Sequence, residues 1–216
     1  MTPLQLYARL YRHYGDPGWW PADTPYEIMV GAILTQNTNW SNVEKALANL
    51  KQQLTPQGIQ ALSLERLSQL IKPAGFFNQK ARYLKNLTAW WAAYDYCWET
   101  AQKQSLEKLR SELLALKGVG PETADSILLY AFNRPILVID AYTRRLLSRI
   151  GAHHPPAGYE ALRLRLEAAL PASAELFKRW HALVVIQSKN CCRRQPLCHS
   201  CPLQDTCRTG IAELQA

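Results

Sequence analysis

LLALKGVGPETADSILLYAFNRPILVID, residues Leu113 to Asp140, decides how the rest of the chain is read. It predicts a helix ending at Leu116, a tight hairpin Lys117-Gly118-Val119-Gly120-Pro121, a second helix to about Phe132, and a short apolar run that stops at an acid. Gly118 and Gly120 permit the positive backbone angles and close approach of a tight helix-to-helix turn, and Pro121 suits the first turn of the following helix. Such a turn ends in backbone N–H groups at a helix N-terminus, which is an anion site. With a DNA phosphate as the anion, Gly118, Val119 and Gly120 form a clamp that holds the strand without reading its bases. Each residue also has a plainer role. Two glycines close many helix pairs, Glu122 in a first turn complements the helix dipole, and Asp140 is a natural N-cap for AYTRRLLSRIG.

Upstream, Leu6, Tyr7, Leu10, Tyr11 and Tyr14 share one face of a helix over Pro3 to Tyr14. Thr24-Pro25-Tyr26-Glu27 reads as a capping box, and the run IMVGAIL behind it is apolar all round, so that helix is expected to be buried. It ends in LTQNTNW, and Ser41-x-x-Glu44 reads as a second capping box, leaving an exposed turn rich in amides between two helices. Further helical faces run through Leu64, Leu67, Leu70 and Ile71, through Leu84, Leu87, Trp91 and Tyr94, and through Leu106, Leu109, Leu113 and Leu116. The segments DPGWWPA and HHPPAG are breaks. No strand of period two and no internal repeat is present, so the expected fold class is all-α.

The 216 residues are 48% apolar and include seven Trp and ten Tyr, ample for a core. Twenty-five basic against seventeen acidic side chains give a formal charge of +8, a bias toward a polyanionic partner. No apolar run is long enough for a membrane span, and MTPLQLYARL lacks the marks of a signal peptide, so a cytoplasmic location is expected. Nothing in the sequence signals a dimer, and a monomer is expected. Cys191, Cys198, Cys201 and Cys207 have the spacing C-x6-C-x2-C-x5-C, a compact thiolate set that would hold zinc or an iron–sulfur cluster; physics alone leaves both open. Cys97 and Cys192 are left over as a core thiol and a loop thiol.

Taken in order, LxGVGxxTAxxxLxxA, the VIDAYTRR downstream of it, and Gly75, Asn78, Lys80 and Ala81 in GFFNQKA resemble the endonuclease III, or helix-hairpin-helix, superfamily of DNA glycosylases. The cysteine spacing resembles the [4Fe–4S] loop of endonuclease III and of the adenine glycosylases in that superfamily. The resemblance implies a two-lobed all-α fold with a C-terminal [4Fe–4S] loop. One lobe would be a helical bundle over 22–132 with the helix-hairpin-helix near 113–132. The other would join 1–21 to 133–216 and carry the cluster loop, 187–210, and a cleft between them would hold Asp140 on one wall and the hairpin at its mouth.

The resemblance also assigns roles. Asp140 matches the catalytic acid. Gln36 and Asn37 match the turn that fills the gap left by a flipped nucleotide, and the cluster loop would aim Arg193 and Arg194 at phosphates. Bifunctional relatives carry a Schiff-base lysine where this chain has Glu122, and a carboxylate cannot form an imine. The expected activity is therefore hydrolysis of the N-glycosidic bond of a damaged base flipped out of double-stranded DNA, leaving an intact abasic site. LKGVGxExADxILxYA also resembles the 3-methyladenine glycosylase branch, which points to alkylated purines in a pocket drawn from Trp19, Trp20, Trp40, Phe76, Phe77 or Tyr83. The alternatives are a glycosylase/lyase for oxidised pyrimidines that uses another amine, and a damage-binding protein without catalysis.

Overall fold

The computed structural model describes residues 1–18, 22–152 and 158–214. Among them the regular secondary structure is entirely helical, from Pro3–Tyr14 to Arg208–Leu214. The chain divides into two compact units, Trp20–Arg134 and Met1–Trp19 with Pro135–Ala216. The breaks DPGWWPA and HHPPAG lie partly outside the described residues, as do the candidate pocket residues Trp19 and Trp20.

The unit Trp20–Arg134 is built around the Pro25–Leu34 helix. Met29, Val30, Ile33 and Leu34 are fully buried, which is why a helix without an amphipathic face is stable here. It packs against Phe77–Ala92 and Ile127–Ala131, and a buried hydrogen bond of 2.6 Å joins the Tyr26 and Thr88 hydroxyls. Its capping box is half formed. Thr24 accepts from the Glu27 N–H, while the Glu27 carboxylate takes the N–H of Asp23 instead of the cap residue's own. The second expected box is corrected: Asn39, not Ser41, caps Trp40–Leu50, accepting from the Asn42 N–H at 3.0 Å. Ser41 donates to that same Asn39 side chain, and Glu44 accepts from the Trp40 indole.

The hairpin helices are Leu106–Ala115 and Pro121–Ser126, the latter continuing as a π-helix over Ile127–Ala131. Arg110 grips Asp125 with two bonds, 2.7 and 3.1 Å, and so ties one hairpin helix to the other. The π turn is invisible in the sequence. Its five side chains are all buried, and packing against Pro25–Leu34 outweighs the ordinary α pattern.

In the second unit, Ala174–Asn190 packs against both Pro3–Tyr14 and Ala141–Arg149. Ile136, Leu137, Val138 and Ile139 are buried in succession although they form no strand. Their backbone is satisfied from a helix: the Leu137 N–H bonds the Glu167 carboxylate at 2.8 Å and the Ile139 N–H the Tyr159 hydroxyl at 3.3 Å. This extended run delivers Asp140 to the start of Ala141–Arg149.

Candidate functional site

Gly118 has φ +97°, and a β-carbon there would lie 2.2 Å from the Tyr83 ring, so only glycine fits. Gly120 differs from the sequence expectation: its φ is −92° and nothing lies within 4 Å of a β-carbon. The hairpin therefore needs one glycine, with Val119 buried between and its N–H closing the turn onto Leu116 O. Gln36, Asn37, Tyr83, Gly118, Val119, Gly120, Glu122 and Thr123 line an open cavity of about 470 Å³. Gln36 is committed within it, its amide donating to Gly118 O at 2.9 Å and Thr123 Oγ1 at 3.0 Å. Asn37 stands exposed at the tip of the turn with φ +52°.

Asp140 is 8% exposed and is the N-cap residue of Ala141–Arg149. Its Oδ1 accepts the Thr143 N–H at 2.7 Å, and its Oδ2 stands 3.4 Å from His181 Nε2. Burial by itself would raise the carboxyl's pKa. The hydrogen bond and charge of His181 and the Thr143 contacts outweigh burial and hold it below the ordinary value. Capping and a charged, desolvated carboxylate are thus the same arrangement. His181 had no signal in the sequence, where a lone histidine in an apolar helix reads as core.

Cys191, Cys198, Cys201 and Cys207 line one enclosed pocket, and Cys192, expected as a spare loop thiol, lines it too. Gln187 donates to Cys201 Sγ at 3.0 Å while accepting from the Tyr14 hydroxyl at 2.8 Å. Burial raises the pKa of the Cys198 and Cys201 thiols. Among the described residues no group of three His, Cys, Asp or Glu side chains is placed to hold a metal ion. Two arginines of Ala141–Arg149 turn toward the cysteine loop and not outward. Arg145 donates to Cys192 O and Ser188 O, and Arg149 to the carbonyls of Arg193 and Arg194, so both fasten the cysteine loop. Arg193 and Arg194 themselves are exposed.

Residues 30–172, carrying the hairpin and Asp140, match the family described as HhH-GPD superfamily base excision DNA repair protein. The chain belongs to that superfamily. A Methanocaldococcus jannaschii protein named as a DNA repair glycosylase is 44% identical over 94% of each chain. The structure of H. pylori 3-methyladenine DNA glycosylase bound to 1,N6-ethenoadenine matches with a TM-score of 0.76 and 27% identity, over 88% of this chain and 98% of that one. A non-covalent endonuclease III–DNA complex matches in fold with a TM-score of 0.84 and 24% identity over the whole of both chains. No helix of the described residues is long and apolar enough to cross a membrane.

Two further features of this HhH-GPD chain concern its aromatic side chains. Tyr83, one of several aromatics expected in a base pocket, is seated against the hairpin glycine. Phe76 is 64% exposed and held at φ +44°, a left-handed backbone that a bulky side chain rarely adopts. Gly75 before it was visible as a turn, but the backbone angle of the next residue was not.

Proposed function

We propose that the protein is a monofunctional DNA glycosylase that flips a damaged base, with alkylated purines as the favoured class, and hydrolyses its bond to deoxyribose. The observation that carries the reading is Asp140: a buried carboxylate kept charged by its own helix cap and by His181. As the N-glycosidic bond breaks, its electron pair leaves with the base and positive charge builds on the sugar. A fixed anion lowers the energy of that state. A carboxylate with a depressed pKa is a weak proton acceptor, so electrostatic stabilisation and orientation of the attacking water outweigh general-base catalysis. Water adds to C1′ and its proton passes to solvent.

Glu122 lines the hairpin cavity where a lyase would need an amine. A carboxylate beside Tyr83 supports a cationic, alkylated base over a neutral one. Gly118, Val119 and Gly120 would hold a phosphate, with Arg193 and Arg194 adding charge contacts. With Gln36 stapled to the hairpin, Asn37 is the tip that would enter the duplex, and Phe76 is a second exposed tip. Cys191, Cys198, Cys201 and Cys207 would hold a [4Fe–4S] cluster. The support is that these four cysteines line one pocket, in a loop anchored by Arg145 and Arg149. Bound there, the cluster would cross-link the loop that carries Arg193 and Arg194.

The test is release of free base from duplexes carrying one alkylated purine, hypoxanthine, uracil or thymine glycol. Release of the alkylated purine, lost in Asp140→Asn, is expected. Tight damage-specific binding without release of any base would instead support a non-catalytic binder.

A further inference from the structure

Lys80 is 2% exposed, and its ammonium donates to two backbone carbonyls, Leu34 O and Ala74 O, each at 2.8 Å. Leu34 is the last residue of the Pro25–Leu34 helix and Ala74 the last of a short 3₁₀ helix, Lys72–Ala74. One cation therefore serves two helix C-termini, whose carbonyls carry partial negative charge. The arrangement is costly. Burial lowers the lysine's pKa to about 8, and a methionine of similar length would fill the space without desolvating a charge.

The turn beyond each helix end gives a reason for keeping a charge there. Leu34 leads into Thr35-Gln36-Asn37-Thr38-Asn39, with Asn37 at φ +52°. Ala74 leads into Gly75 at φ +69° and the exposed Phe76 at φ +44°. Strained residues persist only where the surroundings over-determine them. The shared ammonium ties together the two helix ends from which these turns start.

We propose that Lys80 is a positioning residue for DNA distortion, fastening the Asn37 tip and the Phe76 tip into one rigid edge that enters the duplex as a unit. The inference rests on the glycosylase reading above. It predicts that Lys80 matters for prying the helix open and little for holding undamaged DNA, which is the hairpin's task.

The experiment uses the full chain and two duplexes, one intact and one bearing a tetrahydrofuran abasic analogue opposite 2-aminopurine, whose fluorescence rises when it unstacks. Wild type should prefer the abasic duplex and raise its fluorescence. Lys80→Met should bind the intact duplex within about threefold of wild type, lose about tenfold or more of the preference, and leave the fluorescence near its free-duplex level. A full fluorescence rise with Lys80→Met, or a parallel loss of affinity for both duplexes, would overturn the inference. If Lys80→Met does not fold, the cycle of Asn37→Ala, Phe76→Ala and the double variant decides, in the wild-type Lys80 background. A single edge requires the two losses to be strongly non-additive, and additive losses contradict it. A wild-type protein that does not distinguish the two duplexes would overturn the glycosylase reading itself.

Discussion

Asp140 caps a helix, and under the proposed function its charge also acts on the sugar; the two tasks separate under substitution. Asparagine is as good an N-cap as aspartate, so Asp140→Asn should keep the Ala141–Arg149 helix while removing the charge. Base release should fall by about 10²–10³-fold or more, measured in single turnover, while the protein stays folded at neutral pH with a melting temperature below wild type, because the contribution of the charged carboxylate is gone. The acid limb should change as well. Because the folded pKa lies below the unfolded value of about 3.9, the stability contributed by Asp140 is complete above that value and is lost as pH falls through the folded pKa. Thermal melts of Asp140→Asn should therefore lose less stability than wild type between about pH 4 and lower values. The two hairpin glycines should also part company. Gly118→Ala meets both a positive φ and the Tyr83 ring, and should cost about 1–3 kcal/mol in chemical denaturation together with DNA affinity. Gly120→Ala has an ordinary φ and open space, and should be close to neutral.

Among the elements, the hairpin was the most legible, because a helix pair joined by GVGP uses local chemistry that a sequence displays. Its fastening was not. Arg110 and Asp125 are fifteen residues apart on different helices, and nothing in either segment announces a bidentate, buried pair. Asp125→Ala leaves Arg110 beside an apolar site and should cost about 3–5 kcal/mol, read from urea unfolding. Arginines at Arg145 and Arg149 look like a solvent or phosphate face on a helical wheel, yet they turn to carbonyls of a loop more than forty residues later. The burial of residues 136–139 was legible as an apolar run, but its partners, Glu167 and Tyr159, are not set by any periodicity. Propensity and spacing report what a segment does alone; these side chains are placed by what arrives from elsewhere.

For the whole molecule, membership of the HhH-GPD superfamily rests on a match over residues 30–172, whereas the proposed monofunctional chemistry rests on Glu122. The cluster reading has its own test. Purified protein should contain about four irons per chain and show the broad visible absorption of an iron–sulfur cluster, and Cys198→Ser should lose that absorption and weaken DNA binding, while zinc without colour would contradict it. Monofunctional chemistry is decided by trapping. A duplex bearing an alkylated purine is incubated with the protein, one portion treated with borohydride and another analysed for strand breaks with and without alkali. The expected result is breaks only after alkali and no covalent protein–DNA species. A borohydride-trapped complex, or breaks without alkali, would mean that an amine other than a residue at position 122 attacks the sugar and that the protein is a lyase.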